Sequence, residues 1–280
     1  MIHIEHFGPL AAQYDGFILD LWGVIHDGVR PYQGAPECLA ALRASGKRVV
    51  LLTNAPRRSA QVQEQLRDMG LPATLYDGIM TSGEATHLML RDRPDAWSRA
   101  LGPKLYHLGP ERDRNVVEGL GYLVQDTPGG ADFMLNTGPD DHANPTDPAA
   151  YDAELAVAVA EGQKMICANP DLEVIRGGVR VVCAGSLAMR YAALGGDVRN
   201  LGKPDPAIYQ PVLTMLGGGR ILAVGDALRT DIAGAAAIGV DACWVLGGLH
   251  GAHRAGPAAI EAEAASAGLT PVACIPSFVW

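Results

Sequence analysis

Short apolar runs alternate with helical patterns along most of this chain. The run at 47–54 is a nearly continuous series of Val and Leu, which is typical of a strand covered on both faces. A second short strand ends in a Gly-containing turn at 16–23. Residues 36–45 predict a helix, because Pro36 stands at the start and Gly46 directly after the end.

The last third of the chain repeats this alternation. Strands are predicted at 220–227 and 240–248, on either side of a helix of small residues at 230–239. An earlier helix in this part has an apolar face made of Ile208, Val212 and Met215. Alternating βα units predict a doubly wound parallel sheet with helices on both faces.

The middle of the chain has a rhythm of its own. Four strand-like runs lie there, at 104–109, 131–136, 164–169 and 179–185. We therefore expect a smaller α/β domain at 84–196, inserted as a cap into a core made of 1–83 and 197–280. The fold class predicted is α/β, with a doubly wound parallel core and an inserted α/β cap.

Composition and charge exclude several classes of partner. The 280 residues carry a net charge of -9 without a Lys/Arg cluster, so nucleic acid and anionic membranes are poor ligands. No targeting signal or membrane-spanning apolar run is evident, and we expect a cytoplasmic protein. The five cysteines form no C-x-x-C pair, which argues against zinc and redox sites. Homo-oligomerisation stays open.

Polar residues follow the predicted strands or precede a helix at four places: Asp20, Thr53 with Asn54, Lys203, and Asp226 with Asp231. A single Asp at a strand end is usually a helix cap or turn residue. Four such groups in this order favour chemistry, because ligands of parallel sheets bind beyond the carboxyl ends of the strands. A carboxylate can attack phosphorus, and clustered carboxylates need a hard cation such as Mg²⁺. Thr and Lys can hold phosphoryl oxygens.

The motifs resemble those of the haloacid-dehalogenase (HAD) superfamily. They are DLWGV at 20–24, LLTN at 51–54, GKPDP at 202–206 and GDALRTD at 225–231. The insertion between the second and third motifs is similar to that of subfamily IIA, which includes p-nitrophenyl phosphatase-like enzymes. The stretches MTSG at 80–83 and ANPD at 168–171 also resemble this subfamily. The resemblance implies a HAD-like Rossmannoid core and a cap that closes over Asp20.

The resemblance also implies a role for each matching residue. Asp20 would be the nucleophile and a Mg²⁺ ligand, with Lys203 as the second catalytic residue. The backbone carbonyl of Trp22 and the carboxylate of Asp226 would complete the protein ligands of the metal. The phosphate-binding residues would be Thr53, Asn54 and Lys203, and Asp231 would support the metal site. The implied function is a Mg²⁺-dependent phosphatase for a small phosphorylated metabolite, with an aspartyl-phosphate intermediate on Asp20.

The chain departs from the family pattern at Trp22. The family has a second Asp here, which acts as the general acid/base, and losing such a group costs ~10²–10⁴ in rate. His26 or Asp27 could replace the acid, although both also fit a simple polar turn. Alternatively, the substrate has a good leaving group, or the protein binds a phosphorylated ligand and turns it over weakly. The sequence leaves these interpretations open.

Other catalytic motifs are not matched. In GKP, Pro204 stands where a P-loop requires Ser or Thr, and no G-x-S-x-G or H-E-x-x-H occurs. HGAH at 250–253 favours a loop over a zinc site, although His250 could line a pocket at the carboxyl edge of the sheet.

Overall fold

A computed structural model describes residues 1–140, 147–176, 179–248 and 256–280. No α-helix in these ranges is long and apolar enough to cross a bilayer. All five cysteines are buried, and none of them forms a disulfide bond.

The chain is divided into two compact units. The first contains Met1–Thr53, Gln63–Met80 and Lys203–Trp280, and the second contains Asn54–Val62 and Thr81–Gly202. These limits differ from the expected core and cap boundaries at three places, because residues 54–62, 81–83 and 197–202 group with the second unit. One boundary between the two units therefore falls between Thr53 and Asn54.

The strands are numbered in chain order. They are β1 (Ile2–His3), β2 (Gly16–Leu19), β3 (Arg48–Thr53), β4 (Gly78–Thr81), β5 (Lys104–Leu108), β6 (Leu123–Gln125), β7 (Phe133–Asn136), β8 (Lys164–Cys167), β9 (Glu173–Arg176), β10 (Val179–Val182), β11 (Asp197–Asn200), β12 (Ile221–Gly225), β13 (Asp241–Val245) and β14 (Ala273–Ile275).

The α-helices follow the same order. They are α1 (Gly8–Ala11), α2 (Ala35–Ala44), α3 (Ser59–Asp68), α4 (Ser82–Asp92), α5 (Ala96–Arg99), α6 (Asp152–Ala160), α7 (Ala184–Ala193), α8 (Pro206–Leu216), α9 (Ala233–Ala237) and α10 (Gly256–Ser266). A π-helical turn at Leu228–Ile232 precedes α9, so the helix predicted at 230–239 is only partly α-helical.

The first unit contains a seven-stranded sheet in the order β1-β14-β13-β12-β2-β3-β4. Strand β2 lies parallel between β12 and β3, with Leu19 opposite Val224 on one side and Leu51 on the other. Every residue of β2 is buried, which is expected when helices cover both faces of a parallel sheet. The predicted doubly wound fold class is confirmed.

The second unit contains a five-stranded parallel sheet in the order β11-β8-β7-β5-β6. Alternate residues of β7 enter different cores: Phe133 and Leu135 pack with α4, and Met134 packs with α6 and α7. This two-residue period places one apolar layer on each face of the sheet.

The sequence interpretation of this part was incomplete. Within the run predicted as a strand at 179–185, Val179–Val182 form β10. This strand pairs antiparallel with β9 in a hairpin that is separate from the five-stranded sheet. The strand β6 was missed because LVQ has only three residues, and β11 was missed because DVRN is short and mostly polar. The apolar face of α8 was also partly wrong: Leu216 is buried beside Val212, whereas Met215 is exposed.

The apolar layer around α6 predicts a stability difference within one helix. Leu155 is fully buried, and Leu155→Ala should lower the free energy of unfolding by about 2–5 kcal/mol through lost packing and a cavity. Val157 lies on the exposed side of the same helix, so Val157→Ala should change it by less than about 0.5 kcal/mol. Urea unfolding of both variants measures this, and equal losses would contradict the assigned core.

Candidate active site

Three adjacent strands bring the predicted catalytic residues to one edge of the first sheet. Asp20 directly follows β2, Asp226 directly follows β12, and Thr53 is the last residue of β3. The Asp20 N–H donates to the Val224 carbonyl at 3.0 Å, which fixes the chain as it leaves β2. The carboxyl ends of parallel strands share an edge, so sheet order alone gathers these groups.

Lys203 lies in the turn before α8 and binds three other parts of the site. Its Nζ atom lies 2.6 Å from Asp20 Oδ1, 2.7 Å from Asp231 Oδ1 and 3.2 Å from the Leu52 carbonyl oxygen. An ammonium group has three N–H donors, so these contacts use all of them. The side chain is buried, and two charge-assisted hydrogen bonds compensate its desolvation.

Three buried carboxylates lie close together here, and two of them, those of Asp20 and Asp231, bind Lys203. Ligand oxygens of Asp20, Asp226 and Asp231 lie within 4.8 Å of one another. Burial raises the pKa of Asp20 well above its usual range, and the negative charges of Asp231 and Asp226 raise it further. The positive charge of Lys203 lowers this pKa but does not reverse the shift. If all are ionised, the cluster carries more negative charge than one ammonium can balance. A cation with a preference for oxygen ligands would relieve this repulsion.

Trp22 lies in the turn that follows Asp20, and its side chain is held there by packing. A Cβ atom at Gly28 would lie 2.0 Å from Cη2 of the indole, and Gly28 has a φ of +86°, so only glycine fits. The indole also meets the His26 ring edge-to-face, with centroids 5.5 Å apart. The Trp22 side chain is half-buried. Among the residues that the structure describes, none donates a hydrogen bond to the Trp22 carbonyl.

His26 and Asp27 build the turn itself. The Gly28 N–H donates to His26 Nδ1 at 2.9 Å, and burial lowers the pKa of His26 to about 4, with Asp27 opposing. Asp27 Oδ1 accepts the N–H groups of Val29 and Arg30 at 2.9 and 2.8 Å. Burial raises the pKa of Asp27, but these donors lower it overall. Neither group therefore carries an acidic proton at neutral pH, and the polar-turn interpretation is the one the geometry favours.

Asn54 belongs to the second unit. Its Nδ2 atom donates to Asp171 Oδ1 at 2.9 Å, and Ser82 Oγ donates to its Oδ1 at 3.1 Å. Asp171 lies in the ANPD stretch and Ser82 in the MTSG stretch. The motifs predicted no role for either residue. The predicted loop position of His250 lies outside the described residues.

Comparisons with known proteins place this geometry in a family. A family model for haloacid dehalogenase-like hydrolases matches residues 17–123, and a second HAD-hydrolase-like model matches 200–270. A haloacid dehalogenase-like hydrolase of Brucella suis has a similar structure, with a TM-score of 0.84 and 32% identity, covering 99% of this chain and all of the other. The chain belongs to the haloacid dehalogenase-like hydrolases, as its motifs predicted.

Two further similarities concern the mycobacterial phosphatases. D-glycerol 3-phosphate phosphatase of Mycobacterium tuberculosis is 30% identical over 254 residues, which are 88% of this chain and 67% of the relative. A crystal structure of glycerol phosphate phosphatase from that organism, in complex with magnesium, has a TM-score of 0.65 and 28% identity, covering 85% of this chain and 70% of the other.

The crowded carboxylates predict that the active site destabilises the metal-free fold. Asp20→Asn removes a buried negative charge, so in chelator at pH 7 it should raise the free energy of unfolding. Because the folded-state pKa of Asp20 exceeds its usual 3.8, the wild-type penalty develops as pH rises from 3.8 through the folded-state value. The gain from Asn should therefore shrink as pH falls toward 3.8.

Urea unfolding of both proteins between pH 4 and 7 measures this difference. Asp68→Asn is the control, because Asp68 is exposed on α3 and should give no such pH-dependent gain. A stability loss for Asp20→Asn at pH 7 would show that the Lys203 ion pair outweighs the repulsion.

Proposed function

We propose that this chain is a magnesium-dependent phosphatase for a small phosphorylated metabolite, acting through an aspartyl-phosphate on Asp20. The observation that carries the proposal is the cluster of three buried carboxylates at the carboxyl edge of the sheet, two of which, Asp20 and Asp231, bind the buried Lys203. The similarity to a D-glycerol 3-phosphate phosphatase supports phosphate monoesters of small polyols or sugars as the substrate class.

The donor set fits a magnesium ion. All candidate ligands are oxygens, which hard cations prefer, and the excess of negative charge favours a divalent cation. Asp20, Asp226 and the Trp22 carbonyl would hold it, and Asp231, which is bound to Lys203, would support the arrangement. When bound, the ion would offset the repulsion between the carboxylates and the phosphate dianion.

The contacts of Asp20 suit a nucleophile. Lys203 holds Oδ1, so Oδ2 is the atom proposed to attack phosphorus. The Asp20–phosphorus bond forms as the bond to the ester oxygen breaks, and the leaving group departs as an oxyanion that keeps the electron pair and takes a proton from water. Water then cleaves the acyl phosphate, releasing inorganic phosphate and restoring the carboxylate. The Thr53 hydroxyl and the Lys203 charge would stabilise the phosphoryl oxygens in both steps.

Trp22 determines which esters react well. The indole offers one N–H that is not acidic and no acceptor, so it cannot protonate an alkoxide. The contacts of His26 and Asp27 and their lowered pKa argue against either group as a replacement acid at neutral pH. Alkyl esters of polyols and sugars should therefore turn over slowly in the wild type, and esters whose leaving groups depart without a proton should turn over faster. The same observation supports a second function, in which the protein binds a phosphorylated ligand and turns it over weakly.

The nucleophile is tested by removing it. Asp20→Asn should abolish magnesium-dependent phosphate release, with a loss of about 10⁴-fold or more, because no acyl phosphate can form. Asp226→Asn should instead raise the magnesium concentration needed for half-maximal rate. The measurement is phosphate release from p-nitrophenyl phosphate and a panel of metabolite monoesters that includes glycerol 3-phosphate. Ligand binding without turnover in the wild type would favour the binding function.

The missing acid is tested by supplying one. Trp22→Asp should raise kcat/KM for glycerol 3-phosphate by about tenfold or more, since general acids contribute ~10²–10⁴. It should change kcat/KM for p-nitrophenyl phosphate less, because the p-nitrophenolate leaving group needs little protonation. Trp22→Phe is the matched control and should not produce the gain. An equal loss on both substrates in Trp22→Asp would instead indicate a packing or substrate-binding role for the indole.

A further inference from the structure

Residues 54–59 directly follow Thr53, but they belong to the second unit and are hydrogen-bonded to other parts of it. We call these six residues the connector segment. They leave the sheet of the first unit at the end of β3 and enter α3 at Ser59. Their partners come from several separate stretches of the second unit, as the following contacts show.

The first contact is made by the carboxamide of Asn54. Its Nδ2 donates to Asp171 Oδ1, and its Oδ1 accepts from Ser82 Oγ, so both ends are hydrogen-bonded. Asp171 is itself fixed by the backbone, because its N–H donates to Asn169 Oδ1 and its carbonyl accepts the Gly185 N–H, each at 3.0 Å. The Asn54 side chain is almost fully buried.

The backbone of Gly202 packs closely against this carboxamide. A Cβ atom at Gly202 would lie 2.6 Å from Asn54 Oδ1 and 2.3 Å from Ser82 Oγ. Turning the carboxamide away would break both hydrogen bonds in a buried setting, where an unpaired polar group is costly.

The middle of the connector segment is bound through its backbone and an ion pair. The Gly83 N–H donates to the Ala55 carbonyl at 3.1 Å, and Thr81 Oγ1 donates to the Arg57 carbonyl at 2.6 Å. The Arg57 guanidinium lies 3.1 Å from the buried Asp113 carboxylate.

The end of the segment is bound by a charged side chain from α4. Arg58 donates to both carboxylate oxygens of Glu84, at 2.7 and 3.1 Å, and its backbone N–H donates to Asn115 Oδ1 at 3.0 Å. The Ser59 N–H also donates to Glu84. The segment is therefore fixed near both its ends, and its first residue is the one next to Thr53.

We propose that Asp171 is a positioning residue for phosphate binding. The hydrogen bonds of Asp171 and Ser82 to the Asn54 side chain form a clamp, and Asn54 acts through this clamp without its side-chain amide contacting the phosphate. Asp171 and Ser82 hold the Asn54 carboxamide, and this sets the direction of the chain where it leaves Thr53. The inference rests on the proposed phosphatase function and assigns Asn54 a different role from the direct phosphate contact predicted by the motif.

A charge swap tests the proposal. Asn54→Asp places two carboxylates against each other and should lower kcat/KM for p-nitrophenyl phosphate by about tenfold or more, mainly through KM. Adding Asp171→Asn restores a donor and an acceptor with reversed polarity, and Ser82 can still donate to residue 54. The double variant should return to within about threefold of wild type. Orthovanadate inhibition should follow the same order, because it reports the hold on the phosphoryl group.

A direct amide–phosphate contact predicts the opposite result. A carboxylate at position 54 would then repel the phosphate with either partner, so a double variant as impaired as Asn54→Asp would overturn the positioning role. A wild-type rate in Asn54→Asp would also overturn it. The control is Asp95→Asn, which weakens the Arg199 ion pair in the same unit and contacts none of the connector segment. It should leave KM and vanadate inhibition unchanged.

Folding is checked by thermal melting of each variant. If Asn54→Asp does not fold, Ser82→Ala decides, because it removes one hydroxyl donor from the same clamp. A several-fold weaker vanadate inhibition with an unchanged melting temperature supports the proposal, and unchanged inhibition overturns it. If wild type releases phosphate from no ester and Asp20→Asn makes no difference, both the proposed function and this inference are wrong. If wild type is active and the swap fails, only the positioning role is wrong.

Discussion

The buried ammonium of Lys203 is the interaction on which the rest of the site depends. Its three N–H groups bind Asp20, Asp231 and the Leu52 carbonyl, which come from three different parts of the chain. A buried charge is tolerated only when it is paired, so this contact requires the strand order β12-β2-β3 and the turn before α8. Fold and site are thus specified by the same ion pairs.

The imbalance of charge around that ammonium links function to stability. Three carboxylates lie within 4.8 Å of one another, and burial and mutual repulsion raise the pKa of Asp20. A protein selected only for stability would not retain this arrangement, whereas a site for a divalent cation and a phosphate requires it. We expect the repulsion to destabilise the metal-free fold and a bound cation to offset it.

The proposed mechanism distributes its tasks between neighbouring residues. Asp20 and Thr53 lie in the first unit, and Asn54, the next residue along the chain, is held by the second. Trp22 occupies the position where the motif would supply an acid, and Gly28 and His26 hold its indole in place. In the proposed mechanism, Asp20 attacks the phosphate and Trp22 determines which leaving groups depart readily. These two tasks therefore belong to different residues of one short stretch of chain.

The sequence by itself determined the parallel core and the family, and it predicted Asp20, Thr53, Lys203, Asp226 and Asp231 as site residues, because short apolar runs and strand-end polar residues are local signals. Only the tertiary structure decided what each side chain contacts. The Asn54–Asp171 bond joins positions 117 residues apart, and the neutral role of His26 depends on a hydrogen bond and burial. Polar strands such as β11 were missed because their pairing partner, not their composition, makes them strands.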